Sequence, residues 1–209
     1  MSEAASANQR LVLEFFRLWS RVYDSPLFQW VYFGRVHSKL LDAANGLLPK
    51  NALDVGCGTG ELLFKCAARW PNAHFTGVDL SPDMLAKART KNYAAKVDLV
   101  EGSVYQLPFP DSTFDFVTNS ISSHYYLEAE KACSEIARVL APGGIFLQAV
   151  LTNGILRHVP GPWKDGFEIP GAVYPSPDRQ EKLLQEAGLV VRHKERLPVG
   201  AWLFECQKP

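Results

Sequence analysis

The segment Leu53-Asp-Val-Gly-Cys-Gly-Thr-Gly60 is followed 19 residues later by Asp79, at the end of a second apolar run, and this pairing constrains the fold more than any other feature. Asn51 to Val55 reads as a short buried strand, and the apolar residues from Leu62 to Ala67 read as a helix packed on a sheet. Gly56, Gly58 and Gly60 then fall in the turn between them, where glycine tolerates positive φ and lets a ligand approach the backbone. His74 to Asp79 forms the next strand, so the acid lies at its carboxyl end beside the turn. Ligands of open α/β sheets bind at that edge, and a carboxylate there can accept hydrogen bonds from both hydroxyls of a ribose.

A dinucleotide oxidoreductase also combines a glycine turn with a ribose-binding acid. Here Glu61 stands where the third glycine of G-x-G-x-x-G belongs. Asp54, two residues before the first glycine, would repel a diphosphate and suits a cationic amino group. The turn therefore fits a nucleoside ligand with a positive end.

The remaining pattern repeats strand and helix. Ser81-Pro82 supplies a cap and a first-turn proline for a second helix. Val97–Glu101, Asp115–Asn119 and Ile145–Val150 read as further strands, with a helix from about Glu128 to Leu140 ended by Pro142-Gly-Gly144. Ser176-Pro177 opens a last helix that Gly188 stops, before a closing antiparallel pair, Leu189–Glu195 and Gly200–Gln207. The expected fold is α/β: a doubly wound, Rossmann-like, mostly parallel sheet with an antiparallel edge, helices on both faces and an N-terminal helical lid.

Beyond the glycine turn, Leu107-Pro-Phe-Pro-Asp111, Phe114-Asp-Phe-Val117 and Glu135-Ile-Ala-Arg-Val-Leu-Ala-Pro-Gly-Gly144 occur in an order that resembles the class I S-adenosylmethionine-dependent methyltransferases. Trp19-Ser-Arg-Val-Tyr-Asp24 is similar to the F-x-x-x-A-x-x-Y-D entry segment of the small-molecule group that includes the ubiquinone and menaquinone C-methyltransferases. The resemblance implies S-adenosyl-L-methionine as cofactor, S-adenosyl-L-homocysteine as product, and methyl transfer to a small aromatic or lipophilic acceptor by in-line displacement. It places Gly56, Gly58 and Gly60 against the methionine and ribose, Asp54 near the ammonium end, Asp79 on the ribose diol and Leu80 on the adenine, with Met84 at the opposite adenine face. The family's usual acid after the third strand is replaced by Ser103, which can still hydrogen-bond, beside the Val104 backbone. Asn119 borders the sulfonium, and Tyr23 corresponds to the entry tyrosine that reaches toward the cofactor carboxylate. His124, in Ser122-Ser-His-Tyr-Tyr126 just past the fourth strand, is the candidate general base, with His158 in reserve.

The 209 residues are expected to form one domain: a helical lid and entry segment over 1–48, a cofactor-binding core over 49–150, an acceptor-side loop over 151–175, and a closing helix with antiparallel strands over 176–209. Eight aromatics between Phe15 and Phe33 suggest that the first segment covers the site. The third segment holds four prolines, four glycines and the polar or aromatic residues Arg157, His158, Trp163, Lys164 and Tyr174. With 22 basic and 22 acidic residues and no basic cluster, nucleic acid is not an expected partner. Neither a signal peptide nor a stable membrane insertion is expected, and the cysteines Cys57, Cys66, Cys133 and Cys206 read as reduced, pointing to the cytoplasm. Asp111, Asp115 and Glu128 fit turn and element ends rather than a metal site, so no metal is expected, and oligomeric state is left open. Two further readings stand beside the enzyme: a non-catalytic cofactor-binding accessory protein, and a protein or nucleic-acid methyltransferase.

Overall fold

A computed structural model describes residues 33–153, 166–169, 171–197 and 200–209. The elements in chain order are α1 (Gly34–Ala43), β1 (Asn51–Val55), α2 (Glu61–Arg69), β2 (His74–Asp79), α3 (Pro82–Ala88), β3 (Lys96–Glu101), β4 (Phe114–Ser120) and a 3-10 turn (Ser123–Tyr125). They continue with α4 (Ala129–Val139), β5 (Leu140–Leu151), β6 (Gly166–Ile169), β7 (Ala172–Pro175), α5 (Pro177–Glu186), β8 (Val190–Arg196) and β9 (Ala201–Gln207).

Seven strands form one sheet in the order β3-β2-β1-β4-β5-β9-β8. The pairs from β3 to β5 are parallel, and β9 runs antiparallel to both β5 and β8. This is the expected Rossmann-like sheet with its antiparallel edge. The strand order reverses between β1 and β4, so the carboxyl ends of β1, β2 and β4 open onto one crevice.

Both faces of the sheet are covered. On one, Val36 and Leu40 of α1 and Leu62, Leu63, Cys66 and Ala67 of α2 pack on Ala52, Phe75, Phe116 and Leu203. On the other, Ile136 and Ala137 of α4 and Leu183 and Leu184 of α5 pack on Leu53, Val117, Phe146 and Phe204. The apolar residues of α2 recur at one-turn spacing, which gives that helix a single buried face. The alternation of faces along β1 sends neighbouring Ala52 and Leu53 into opposite layers.

Helix starts follow their sequence signals. Ser81 Oγ accepts from Met84 N–H at 3.3 Å and Ser176 Oγ from Arg179 N–H at 3.2 Å, each with proline in the first turn. A serine cap of this kind contributes about 1 kcal/mol. The acceptor-side stretch expected as a loop departs from expectation, because β6 and β7 pair antiparallel within it, from Gly166↔Pro175 to Ile169↔Ala172. Gly171, at φ 88°, supplies the left-handed residue at the hairpin turn that a period-based reading overlooks in a segment rich in proline and glycine. Helix α4 also passes directly into β5 at Leu140, and the irregular register between Phe114 and Phe116 absorbs Pro142-Gly-Gly144 as part of the strand.

Candidate cofactor and acceptor site

The glycine turn closes β1 onto β2. Gly56 N–H and Cys57 N–H both donate to Val78 C=O, at 2.8 and 3.1 Å, and Gly60 N–H donates to Cys57 C=O at 2.9 Å. All three glycines have positive φ, yet they make room for different things. A Cβ on Gly56 would lie 2.5 Å from Ser122 Oγ and 2.8 Å from Tyr126 Oη, so that glycine admits two hydroxyls of the same chain. Gly60 makes room for the Tyr93 hydroxyl. Nothing lies within 4 Å of the Cβ direction of Gly58, and this is where a ligand can lie against the backbone.

Asp79 organises the turn from the end of β2. One carboxylate oxygen accepts from Gly58 N–H and the other from Ser81 N–H, both at 2.8 Å. Burial pushes its pKa up, and the backbone donors pull it part of the way back. Asp54 lies in register beside Thr118 of β4, whose hydroxyl donates to Asp54 Oδ1 at 2.7 Å. Burial raises the Asp54 carboxyl to about 7; the Thr118 hydrogen bond opposes the shift and the neighbouring charge of Asp79 adds to it. A buried acid, Asp54, and a half-buried one, Asp79, at one edge favour a cation there and oppose a diphosphate. Glu61, at the position of the missing third glycine, is paired with Lys91 at 2.7 Å.

The other expected cofactor residues divide between this edge and the core. Leu80 is half-buried beside Asp79, where an adenine ring could rest on it. Met84 is only 2% exposed and fills the core under α3. After β3, Gly102 N–H donates to Asp79 C=O at 3.0 Å, which holds Ser103 and Val104 beside the end of β2. Ser103 Oγ already accepts from Tyr105 N–H at 3.3 Å. Asn119 is wholly buried, and its amide donates to Val55 C=O at 2.8 Å, Ser122 Oγ at 2.7 Å and Tyr126 Oη at 3.1 Å. Tyr23 and His158 lie outside the described residues.

Past β4 the chain makes an uncommon turn. Ile121 has φ 51°, a left-handed conformation that a β-branched residue adopts at a cost of about 1–3 kcal/mol, and its N–H is pinned to Ala149 C=O at 2.8 Å. The turn swings Ser122 back over Gly56 and directs His124 toward β7. His124 is 4% exposed, stacks on Tyr174 of β7 at 5.5 Å and contacts Tyr125 at 4.0 Å. Its Nδ1 is buried without a hydrogen-bond partner among the described residues, as are Ser120 Oγ and Ser123 Oγ. Burial lowers the His124 pKa to about 4, so the ring is neutral at physiological pH.

The acids considered for a metal are engaged elsewhere. Asp111 pairs with Arg138 at 2.8 Å, Asp115 accepts from the backbone of Lys50 and Asn51, and Glu128 lies 4.0 Å from Lys131. Sequence reasoning missed Thr118, Ser122, Tyr126 and Tyr93. Each reaches the turn through a pairing or a reversal that no local spacing records.

The pattern of a methyltransferase domain matches residues 52–144, the segment that builds this edge. A demethylmenaquinone methyltransferase of Symbiobacterium thermophilum is 32% identical over a match covering 71% of each chain. The chain belongs to the class I S-adenosylmethionine-dependent methyltransferases. Among its relatives, a Thermus thermophilus demethylmenaquinone methyltransferase is 37% identical over 67% of this chain and 61% of that protein. A fatty-acid O-methyltransferase of Mycolicibacterium smegmatis is 42% identical over 47% of this chain, which spans only 36% of its length. Among solved structures, the PH0226 protein of Pyrococcus horikoshii shares the fold, with a TM-score of 0.77 at 22% identity over 94% of this chain and 99% of that one. The family's cofactor is S-adenosylmethionine. The open face of Gly58 and the acids Asp54 and Asp79 at the two strand ends fit it. Among the described residues, no helix of this methyltransferase is long and apolar enough to cross a membrane.

Proposed function

We propose that the protein transfers a methyl group from S-adenosylmethionine to a small aromatic or lipophilic acceptor. The observation that carries this reading is a set of buried polar atoms without partners among the described residues just past β4, Ser120 Oγ, Ser123 Oγ and His124 Nδ1, the last on a ring that stacks against Tyr174. Burying an unpaired polar atom costs about 1–3 kcal/mol, and a bound acceptor with a hydroxyl or carbonyl would relieve that cost. Relatives named for a demethylmenaquinone and for a fatty acid support a lipophilic molecule with a polar head.

When bound, the cofactor supplies a methyl group on a cationic sulfur. Asp54 would hold the ammonium end and Asp79 the ribose diol, Leu80 and Val104 would flank the base, Asn119 would border the sulfur, and Tyr23 would serve the carboxylate as the family's entry tyrosine does. The acceptor would lie against Tyr174 and His124, placed for in-line displacement. His124 takes the acceptor's proton at Nδ1. Its ring is already in the unprotonated form, but burial also weakens its basicity, so the arrangement favours an acidic acceptor proton such as that of a phenol or carboxylic acid. Alignment and exclusion of water supply the larger share of the acceleration, on the order of 7–11 kcal/mol. In this reading all 209 residues act as one domain, with the acceptor-binding residues drawn from the segments on either side of the cofactor-binding core.

The test is release of S-adenosylhomocysteine by the purified protein with hydroxylated aromatics and with fatty acids as acceptors. Turnover with either class, abolished by Asp79→Ala, supports the reading. Cofactor binding with no product from any acceptor would favour an accessory protein instead.

A further inference from the structure

The Ser122 and Tyr126 hydroxyls over Gly56 end a chain of buried amides whose direction is set by one backbone carbonyl. Val55 C=O can only accept, so the Asn119 NH2 group must face it, at 2.8 Å. Asn119 Oδ1 is thereby turned to Gln148 of β5, whose Nε2 donates to it at 3.4 Å. Gln148 Oε1 in turn accepts from Gln180 Nε2 of α5 at 2.9 Å. Gln148 and Gln180 are 2% and 4% exposed, so water does not compete for either amide. Donors therefore run in one direction, from α5 through β5 and β4 to the two hydroxyls.

Counting hydrogens shows what is left over. With one amide hydrogen of Asn119 on Val55 C=O, the second is shared between Ser122 Oγ and Tyr126 Oη, which lie 2.9 Å from each other. One hydroxyl hydrogen is used between them, whichever donates. The other has no acceptor among the described residues. Burial pushes the Tyr126 phenol well above its ordinary pKa, so it keeps its proton. Both side chains are half-buried, and the left-handed backbone at Ile121 holds Ser122 in place over the turn. At the same edge Asp54 offers acceptor oxygens, and a spare donor beside a spare acceptor complements an amino acid's carboxylate and ammonium.

We propose that the Ser122–Tyr126 hydroxyl pair donates a hydrogen bond to the carboxylate at the methionine end of the cofactor, with Gln148 and Gln180 acting as positioning residues that orient it through Asn119. This rests on the cofactor lying along the glycine turn. It adds a carboxylate donor after β4 to the one expected from Tyr23, and it links cofactor affinity to α5, on the far side of β5.

The experiment is calorimetric titration with two probes, S-adenosylhomocysteine and its decarboxylated analogue, which keeps the amine and lacks the carboxylate. Tyr126→Phe is expected to weaken S-adenosylhomocysteine roughly tenfold or more, the loss of one hydrogen bond to a charged group, and to leave the analogue unchanged. Ser122→Ala serves as the second variant, with the same selectivity expected. Gln180→Glu replaces the donor facing Gln148 Oε1 with an acceptor, in conflict with the direction that Val55 C=O fixes, so the amide chain loses its orientation. It should weaken S-adenosylhomocysteine severalfold with the analogue again unchanged, whereas a purely structural role would lower both or only the melting temperature. Equal losses for both probes, or none, would overturn the proposal while leaving the cofactor site standing. Wild-type protein that binds neither probe would overturn the cofactor reading itself.

Discussion

Asp54→Asn separates the contribution of this acid to cofactor binding from its cost to folding. The carboxyl titrates at about 7 in the fold against 3.8 in an unperturbed chain, mainly because burial disfavours the ion. At about 1.4 kcal/mol per pH unit, the charged form costs the cofactor-free protein on the order of 4 kcal/mol. The folded state binds the proton more tightly than the unfolded state, so this stability is fully present below pH 3.8 and is lost as pH rises toward about 7. His37 and His124, lowered to about 3 and about 4 by burial, work the other way and lose stability as pH falls below 6.5. The wild-type curve therefore mixes opposing terms. Both proteins carry the same histidines, so the difference between variant and wild type isolates the acid. Between pH 5 and 7 the variant should gain roughly 2 kcal/mol relative to wild type, or roughly 4–8 °C in melting temperature for a chain of this length. The same substitution removes the anion that faces the ammonium group, and titration should show S-adenosylhomocysteine binding weakened at least tenfold at pH 8. A melting-temperature gap that stays constant with pH would refute the burial argument. Unchanged affinity would remove Asp54 from the binding site.

Asp79→Ala leaves Gly58 N–H and Ser81 N–H without their acceptor and removes the ribose contact, so S-adenosylhomocysteine affinity should fall by more than tenfold in the same titration. Gly56→Ala meets Ser122 Oγ at 2.5 Å whereas Gly58→Ala meets nothing within 4 Å, so thermal unfolding should show the first to be the more destabilising. Gly58→Ala should cost about 1–2 kcal/mol for its left-handed φ alone, while still weakening the cofactor. His124→Ala should lower turnover by roughly 10²- to 10⁴-fold if the imidazole acts as base, with S-adenosylhomocysteine affinity retained; an unchanged rate would leave it as a wall of the pocket.

Much of the fold was legible because its signals are local. β1 and β2 occupy the expected ranges Asn51–Val55 and His74–Asp79, and serine caps with first-turn prolines mark the starts of α3 and α5. Asp79 was legible as a turn-side acid because strand polarity alone puts the end of β2 beside the end of β1. The β6–β7 hairpin was not, since its strands are four residues each and carry no period long enough to read.

The sequence by itself determined a parallel sheet with a glycine turn, an acid at each of two strand ends and a ligand carrying positive charge, since these follow from chain direction and residue chemistry over a few neighbouring positions. Only the tertiary structure decided that Gly56 admits two hydroxyls rather than a ligand, that Thr118 holds Asp54, and that Gln180 reaches Asn119 through Gln148. Those contacts join residues 29 to 70 positions apart across strands whose order a sequence does not print. Each hydrogen bond depends on angles and on the burial of its partners, and these exist only once both layers have closed on the sheet.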